Sequence, residues 1–361
     1  MDFLPLIDLL DETGAAIAGG AAIGLVFGLL AQRSAFCTRT AVLDLARGRG
    51  LVAAATWALG FAVALLAVQF MVWRGDLLLS ETRFLATPQS LSGALIGGLL
   101  FGVGMALARG CVSRLVVLTG TGNLRALFCL AVVAFVGMAT LSGFLVPARD
   151  PVAAFWNTAA IGGNDILGHF RLGALAGVVI GAVALAGAVG LAFAARISVW
   201  RVIGGVGIGL CVAAGWYFTY HLSAQLFDPI PVESLSFVRP VATTGALLVD
   251  WALVPRMDQG LFAGVVVGAL VGALIGGDFR IQTFSEPGTP SIFRYAAGAA
   301  LMGFGGVLAG GCTVGAGLSG GSILVVTALM ALAAMAVGAV ITDRIVDRKL
   351  PADEKSASRA A

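Results

Sequence analysis

The five cysteines of this chain occupy two kinds of sequence environment. Cys37, Cys111 and Cys312 each follow an apolar segment that contains glycine, and each stands where that segment breaks. Cys129 and Cys211 lie inside continuous apolar runs, where a cysteine usually acts as a small buried hydrophobic residue. A thiol is a weak donor and a soft, polarisable group. The first group therefore suits a soft anion that contains sulfur better than a hard phosphate.

These cysteines do not form a recognisable metal or catalytic set. No Cys-x-x-Cys pair occurs, and both histidines, His169 and His221, lie in predicted loops. The breaks therefore have too few histidine and carboxylate neighbours for a metal site. A Cys–His nucleophile has no candidate base there. We expect no metal, no cofactor and no enzymatic activity.

Two of the breaks belong to a stretch that occurs twice. Residues 97–111 and 298–312 match when Cys111 is superposed on Cys312. Matches between leucines or alanines are common by chance in apolar segments, whereas glycines in register with a cysteine are not. Four glycine pairs are in register: Gly97/Gly298, Gly102/Gly303, Gly104/Gly305 and Gly110/Gly311. We infer an internal duplication.

The composition places the chain in a membrane. Of its 361 residues, 59% are hydrophobic and only 11% are charged, whereas a soluble domain carries about 25% charged residues. Continuous apolar runs of about 20 residues predict helices rather than the alternating strands of a barrel. The 51 glycines would let such helices approach closely. The net charge of +3 comes mostly from loops and does not indicate nucleic acid.

The apolar runs predict an all-α polytopic membrane protein with about nine transmembrane helices and short re-entrant half-helices. A further apolar stretch, residues 243–254, predicts a half-buried or interfacial helix. The nine predicted spans are residues 14–30, 51–73, 97–111, 124–146, 172–194, 202–220, 261–277, 295–309 and 322–341.

An odd number of spans puts the two termini on opposite sides of the membrane. The N-terminal segment is acidic, and the C-terminal end carries Arg344, Arg348 and Lys349, which predicts a periplasmic N-terminus and a cytoplasmic C-terminus. The Cys111 copy then runs inward and the Cys312 copy runs outward, as an inverted-topology repeat requires.

We therefore expect one transmembrane transport domain over residues 1–361. Its half-repeats cover about 14–147 and 202–342, and the span 172–194 links them. Aligning the sixth span with the first pairs Gly28 with Gly207 and would place Trp216 opposite Cys37.

Broken segments at corresponding positions of two halves indicate a substrate site near the middle of the membrane. A half-helix that starts after Cys111 or Cys312 would direct free N–H groups and a positive dipole end at this site, which suits an anion. Arginines flank two of the cysteines and add positive potential, with the alternative that some lie at the headgroups and only set topology. These arginines are Arg33 and Arg39 around Cys37, and Arg109 and Arg114 around Cys111.

Three motifs resemble those of the YeeE/YedE sulfur-transport family. They are Phe36-Cys37-Thr38, Arg109-Gly110-Cys111 and residues 309–320, A-G-G-C-T-V-G-A-G-L-S-G. The resemblance implies an hourglass-like inverted-repeat fold in the bacterial inner membrane. It also implies import of thiosulfate, which passes along Cys37, Cys111 and Cys312 through S–H···S hydrogen bonds. Arg114 departs from the pattern, since a small residue is expected there.

Taken together, the residues and the resemblance predict a transporter that brings thiosulfate or a related sulfur anion into the cytoplasm. A transporter of a selenium compound or of sulfite, and a membrane thiol enzyme, remain as alternatives. No ATP-binding loop occurs, and the resemblance suggests a small cytoplasmic TusA-like sulfur carrier as the partner that consumes the substrate. The predicted substrate-binding residues are Cys37, Cys111, Cys312, Arg109, Gly110, Gly311 and Thr313.

Overall fold

The apolar segments fold into helices because a helix satisfies its own backbone hydrogen bonds in lipid. A computed structural model describes residues 3–250 and 252–347, and within them nine helices are long and apolar enough to cross a membrane. This confirms the all-α polytopic fold. Arg348 and Lys349, which supported the predicted orientation, lie outside the described residues.

The α-helices are α1 Leu4–Arg33, α2 Thr38–Arg47, α3 Val52–Arg74, α4 Arg83–Ala86, α5 Leu91–Leu107, α6 Val112–Gly120, α7 Leu124–Leu141, α8 Val146–Ala154, α9 Ile166–His169, α10 Ala174–Ala194, α11 Val199–Ser223, α12 Val238–Val249, α13 Met257–Gly276, α14 Ile292–Leu308 and α15 Val326–Thr342. A π-helix, Thr313–Gly320, lies between α14 and α15.

The predicted half-buried helix begins earlier than expected. The sequence pattern places it at 243–254, whereas α12 begins at Val238, and residue 251 is not described. Arg239 and Pro240 resemble loop residues. Proline is tolerated in the first helical turn, however, because its missing N–H would have no partner inside the helix there.

The order of the spans assigns every loop to one of two faces. We call face A the side where α1 begins and α3 ends, and face B the side where α1 ends and α3 begins. Contacts between distant loops agree with this alternation. On face A, Phe227 N–H donates to Glu12 at 3.0 Å, and on face B, Arg294 pairs with Asp347 at 2.6 Å.

The helix contacts have the pattern expected of an inverted repeat. In an inverted repeat each of the first four spans corresponds to one of the last four, here α1 to α11, α3 to α13, α5 to α14 and α7 to α15. The α1–α13 contact then corresponds to the α11–α3 contact, and both occur. The same exchange relates α5–α15 to α14–α7, and it relates α2–α15 to α12–α7. The contacts α5–α14 and α1–α11 map onto themselves. These contacts are the ones that the predicted half-repeats would make, with α12 as the counterpart of α2, and the half-repeats stay a prediction.

The duplicated glycines form the contact between the two copies. A Cβ atom on Gly97 would lie 2.6 Å from the carbonyl oxygen of Gly305, and one on Gly305 would lie 2.7 Å from that of Gly97. Gly104 and Gly298 are reciprocal in the same way, at 2.5 and 2.8 Å. Helix backbones can approach this closely only where side chains are absent.

A second glycine seam joins α1 to α13. On α1, Gly20, Gly24 and Gly28 face carbonyl oxygens of α13, and Gly260, Gly264 and Gly268 face carbonyl oxygens of α1. A Cβ on any of them would lie between 2.0 and 2.5 Å from such an oxygen. This seam holds the end of α1, and therefore the Cys37 break, against the second half of the chain.

Candidate functional site

All three predicted cysteines stand in the same local structure. A helix ends, one residue takes a left-handed backbone, and two residues later the cysteine becomes the N-cap of a shorter helix. The left-handed residues are Ala35 (φ 52°), Arg109 (φ 56°) and Gly310 (φ 74°). The cysteines have extended backbones and cap α2, α6 and the π-helix. A left-handed residue cannot continue a right-handed helix, so each break is built into the chain.

The Cys111 and Cys312 breaks meet inside the protein. Cys111, Cys312 and Thr313 all have 0% of their surface exposed. Thr313 lies beside the Cys111 thiol, and its hydroxyl makes no hydrogen bond within the described residues. Because α6 and the π-helix both start here and lead towards opposite faces, their positive N-terminal ends point at one region.

Each buried thiol has polar neighbours. Cys111 Sγ lies 3.3 Å from the Ser113 hydroxyl, and Cys312 Sγ accepts the N–H of Gly315 at 3.4 Å. The N–H groups of Phe237 and Val238 also face Cys312 Sγ. Such N–H groups can donate instead to an anion that takes the place of the thiol as hydrogen-bond acceptor.

The predicted glycines make these breaks compact. A Cβ on Gly110 would lie 3.3 Å from the Leu115 side chain, and one on Gly311 would lie 3.0 Å from the N–H nitrogen of Ala316. Side chains at these positions would therefore press on the first turn of each half-helix.

Cys37 lies next to Cys111, on the side of it that is nearer to face B. The two thiols interact, and Cys37 is the partly exposed member of the pair. It lines a cavity of about 380 Å³ that Arg109 and Ala108 also line. Cys37 therefore joins the buried thiols to an aqueous space.

This cavity is strongly positive. Among the described residues that line it are one acidic residue, Asp44, and six arginines: Arg39, Arg47, Arg49, Arg109, Arg114 and Arg125. Arg47 pairs with Asp343, Arg125 pairs with Glu286, and Arg39 lies 3.9 Å from Asp347. Within the described residues Arg109 and Arg114 have no carboxylate partner, and Arg114 Nη1 has no hydrogen bond. These two arginines keep their positive charge available.

The four arginines that flank Cys37 and Cys111 in the sequence fall into two groups in the structure. Arg39, Arg109 and Arg114 line the face B cavity. Arg33 lies elsewhere, paired with Asp278 at 3.4 Å and placed over the Trp200 ring. For Arg33 the alternative, a residue at the membrane surface, is the one that fits.

A smaller cavity of about 50 Å³ lies towards face A. Gly310 and Gly311, just before Cys312, form part of its wall. Arg83, Glu233, Arg239 and Asp258 line it as well. The spatial order from face A to face B is therefore the small cavity, Cys312, Cys111, Cys37 and the large cavity. Fully buried residues, among them Cys111, Cys312 and Thr313, lie between the two cavities.

The other two cysteines stand apart from this path. Cys129 Sγ donates to the Tyr295 carbonyl oxygen at 3.9 Å between α7 and α14, and Cys211 is buried within α11. Neither lines the two cavities described above. Their positions agree with the predicted role as small hydrophobic residues.

The alignment of the sixth span with the first predicted that Trp216 corresponds to Cys37, and the structure gives a different correspondence. Trp216 is buried inside α11 and donates to the Ser322 hydroxyl at 3.3 Å. Phe237 is the counterpart of Cys37, because it caps α12 as Cys37 caps α2. The sequence contained a signal for this: Ser34 and Arg39 recur as Ser234 and Arg239 at the same spacing around Cys37 and Phe237. An alignment by transmembrane spans misses it because the loop after α11 is longer.

Two comparisons with known proteins place the chain in a family. A family model described as sulphur transport matches residues 33–341, which include all three motif cysteines. The chain is also 27% identical over 321 residues to the thiosulfate transporter TsuA of Spirochaeta thermophila, covering 83% of this chain and 90% of that protein. The chain therefore belongs to the sulphur transport family of membrane proteins, and it is a transporter rather than an enzyme.

Proposed function

We propose that this protein imports thiosulfate. The ion enters at face A, passes along Cys312, Cys111 and Cys37, and leaves at face B. The observation that carries the proposal is the line of three thiols between two cavities. The name of the related transporter from Spirochaeta thermophila supports thiosulfate as the ion. The chemistry of the thiols supports it too, because the terminal sulfur of thiosulfate is soft and accepts a weak S–H donor.

The distribution of charge supports this direction. Loops and helix ends on face B carry Arg47, Arg49, Arg196, Arg201 and Arg280, as the cytoplasmic side of a membrane protein does. Face B is then cytoplasmic and face A periplasmic.

Three features make the path suitable for a dianion. The N-terminal ends of α6 and the π-helix attract negative charge at the centre of the protein. Each thiol contact is weak, so the ion is not trapped at any one site. Arg109 and Arg114, which have no carboxylate partner among the described residues, then draw the ion into the face B cavity. Because buried residues now separate the cavities, transport requires the helix breaks to move apart.

Removal of the ion on the cytoplasmic side would sustain import without an ATP-binding site. A small TusA-like sulfur carrier is the partner that we propose for this step. The wide, positive face B cavity supports it, since it is the opening at which such a carrier would meet the ion.

Uptake of radiolabelled thiosulfate into bacteria that lack other importers tests the function. We expect saturable uptake that unlabelled thiosulfate inhibits much more strongly than sulfate, because sulfate lacks the soft terminal sulfur. Equal inhibition by sulfate would contradict a thiol-guided path. Stronger inhibition by sulfite or by a selenium oxyanion would assign a different substrate to the same path.

A further inference from the structure

The face A cavity holds a cluster of four charged residues, Arg83, Glu233, Arg239 and Asp258, which we call the ion-pair cluster. Glu233 lies between the two arginines, with Oε2 3.3 Å from Arg83 Nε and Oε1 3.2 Å from Arg239 Nη1. Arg239 Nε lies 3.7 Å from Asp258. A single carboxylate thus occupies the space between two guanidinium groups.

The ion-pair cluster lies next to the helix break that precedes Cys312. Arg83 Nη2 donates to the Gly310 carbonyl oxygen at 2.8 Å, which ties the cluster to the helix break. A backbone bond from Arg83 N–H to the Val232 carbonyl at 3.3 Å joins the two loops that carry Arg83 and Glu233. These contacts lie at the wall of the cavity, whose volume of about 50 Å³ leaves room for only a few water molecules.

The ion pairs within the cluster are weak enough for an arginine to exchange its carboxylate partner for another anion. Their separations exceed those of tight charge-assisted hydrogen bonds, and the Arg83 and Arg239 side chains are 31% and 34% exposed. Partly exposed ion pairs of this kind are weak. A dianion carries more charge and more acceptor atoms than one carboxylate, so it can compete with Glu233 for the same donors.

The pseudo-symmetry of the fold gives an independent reason to regard Arg239 as an anion ligand. Arg239 stands two residues after the N-cap of α12, as Arg39 stands two residues after the N-cap of α2. Arg39 lines the positive cavity at face B, and Arg239 lines the cavity at face A. The two arginines therefore occupy equivalent positions at the two ends of the thiol path.

We propose that Arg83 and Arg239 form the first anion-binding site at face A, and that the incoming ion displaces the Glu233 carboxylate that now bridges them. This proposal rests on the proposed thiosulfate import. The Glu233 carboxylate competes with the incoming ion for the two arginines, which lowers the apparent affinity of this site for the ion. The cavity at face A stays closed until an anion of sufficient charge displaces the carboxylate. Release of Arg83 from Glu233 also frees it to move with the Gly310 break.

The test measures the concentration dependence of thiosulfate uptake by purified protein in liposomes. Glu233→Gln keeps the shape and an acceptor oxygen but removes the charge, and it should lower the half-saturation concentration by about threefold to tenfold. Arg239→Gln should raise it by about tenfold with little change in maximal rate, and Arg239→Lys should restore part of the affinity. The matched controls are Arg74→Gln and Asp76→Asn, an exposed face A pair outside the cavity that should leave uptake unchanged.

The outcomes separate the two proposals. No thiosulfate uptake by the wild-type protein would overturn the proposed function itself. Normal wild-type uptake with an unchanged half-saturation concentration in Glu233→Gln and Arg239→Gln would overturn only the outer binding site. A fall in maximal rate alone would overturn it too, because it would assign the ion-pair cluster a purely structural role.

Discussion

At the scale of single residues, the site depends on how three thiols differ in exposure. Cys111 and Cys312 are fully buried, whereas Cys37 is partly exposed at the wall of the positive cavity. The sequence singles out all three because each follows a glycine-containing apolar segment and stands where that segment breaks. It could not rank their exposure, because exposure depends on how α2 and α6 pack around the cavity.

The exposure of Cys37 predicts sided labelling. A membrane-impermeant anionic thiol reagent should modify Cys37 in inside-out membrane vesicles and not in intact spheroplasts, since the cavity opens to face B. Mass spectrometry of the labelled peptide measures the site. Cys37→Ser should abolish the label, and labelling in spheroplasts alone would reverse the proposed orientation.

Arg114 should act on Cys37 through its charge. It lines the same cavity, interacts with Cys37 and has no carboxylate partner within the described residues. We expect Arg114→Gln to slow labelling of Cys37 by an anionic reagent about threefold to tenfold, because the local positive potential falls. A neutral reagent of similar size reports any change in the thiol itself. Equal slowing with both reagents would contradict an electrostatic role.

At the scale of helices, glycine seams position the breaks. The predicted spans agree with the observed helices because long apolar runs have few alternatives in lipid. The particular contacts could not be predicted with the same success. A glycine at a seam and a glycine facing lipid look alike in sequence, and only the fold distinguishes Gly24 from Gly187.

Those two glycines give a matched test of the α1–α13 seam. A Cβ on Gly24 would lie 2.4 Å from the Leu261 carbonyl oxygen, whereas one on Gly187 would meet nothing within 4 Å. Gly24→Ala should destabilise the protein by about 1–3 kcal/mol, as overpacking does. Gly187→Ala should leave stability unchanged or raise it by about 0.5–1 kcal/mol, since alanine favours a helix. Thermal unfolding in detergent measures both, and equal stabilities would contradict the close contact.

Across the full chain, the helix contacts have the pattern that an inverted repeat would produce, and the two ends differ. The duplicated stretch led to this prediction, and its glycines lie where α5 contacts α14. The pairing of the outer elements, α2 with α12, was not predicted correctly. Cys37 and Phe237 share a position but no chemistry, and the recurrence of Ser34 and Arg39 as Ser234 and Arg239 is too short a signal to stand out before the packing is known.

The difference between the two ends predicts the membrane orientation. Face B carries the arginine-rich cavity and should be cytoplasmic. Alkaline phosphatase inserted between Gly162 and Gly163, in an open face A loop, should be active in the periplasm. Green fluorescent protein at the C-terminus should fluoresce in the cytoplasm. An inactive phosphatase with a non-fluorescent C-terminal fusion would contradict this orientation.

In the proposed transport, the sulfur anion passes along the line of Cys312, Cys111 and Cys37. Thiosulfate uptake by Cys111→Ala and Cys312→Ala measures whether these thiols are needed, with Cys129→Ala and Cys211→Ala as buried-thiol controls away from this line. Contacts in series are each required, so the first two variants should lose at least about tenfold in uptake while the controls keep the wild-type rate. Full uptake by Cys111→Ala and Cys312→Ala at normal protein levels would contradict the claim.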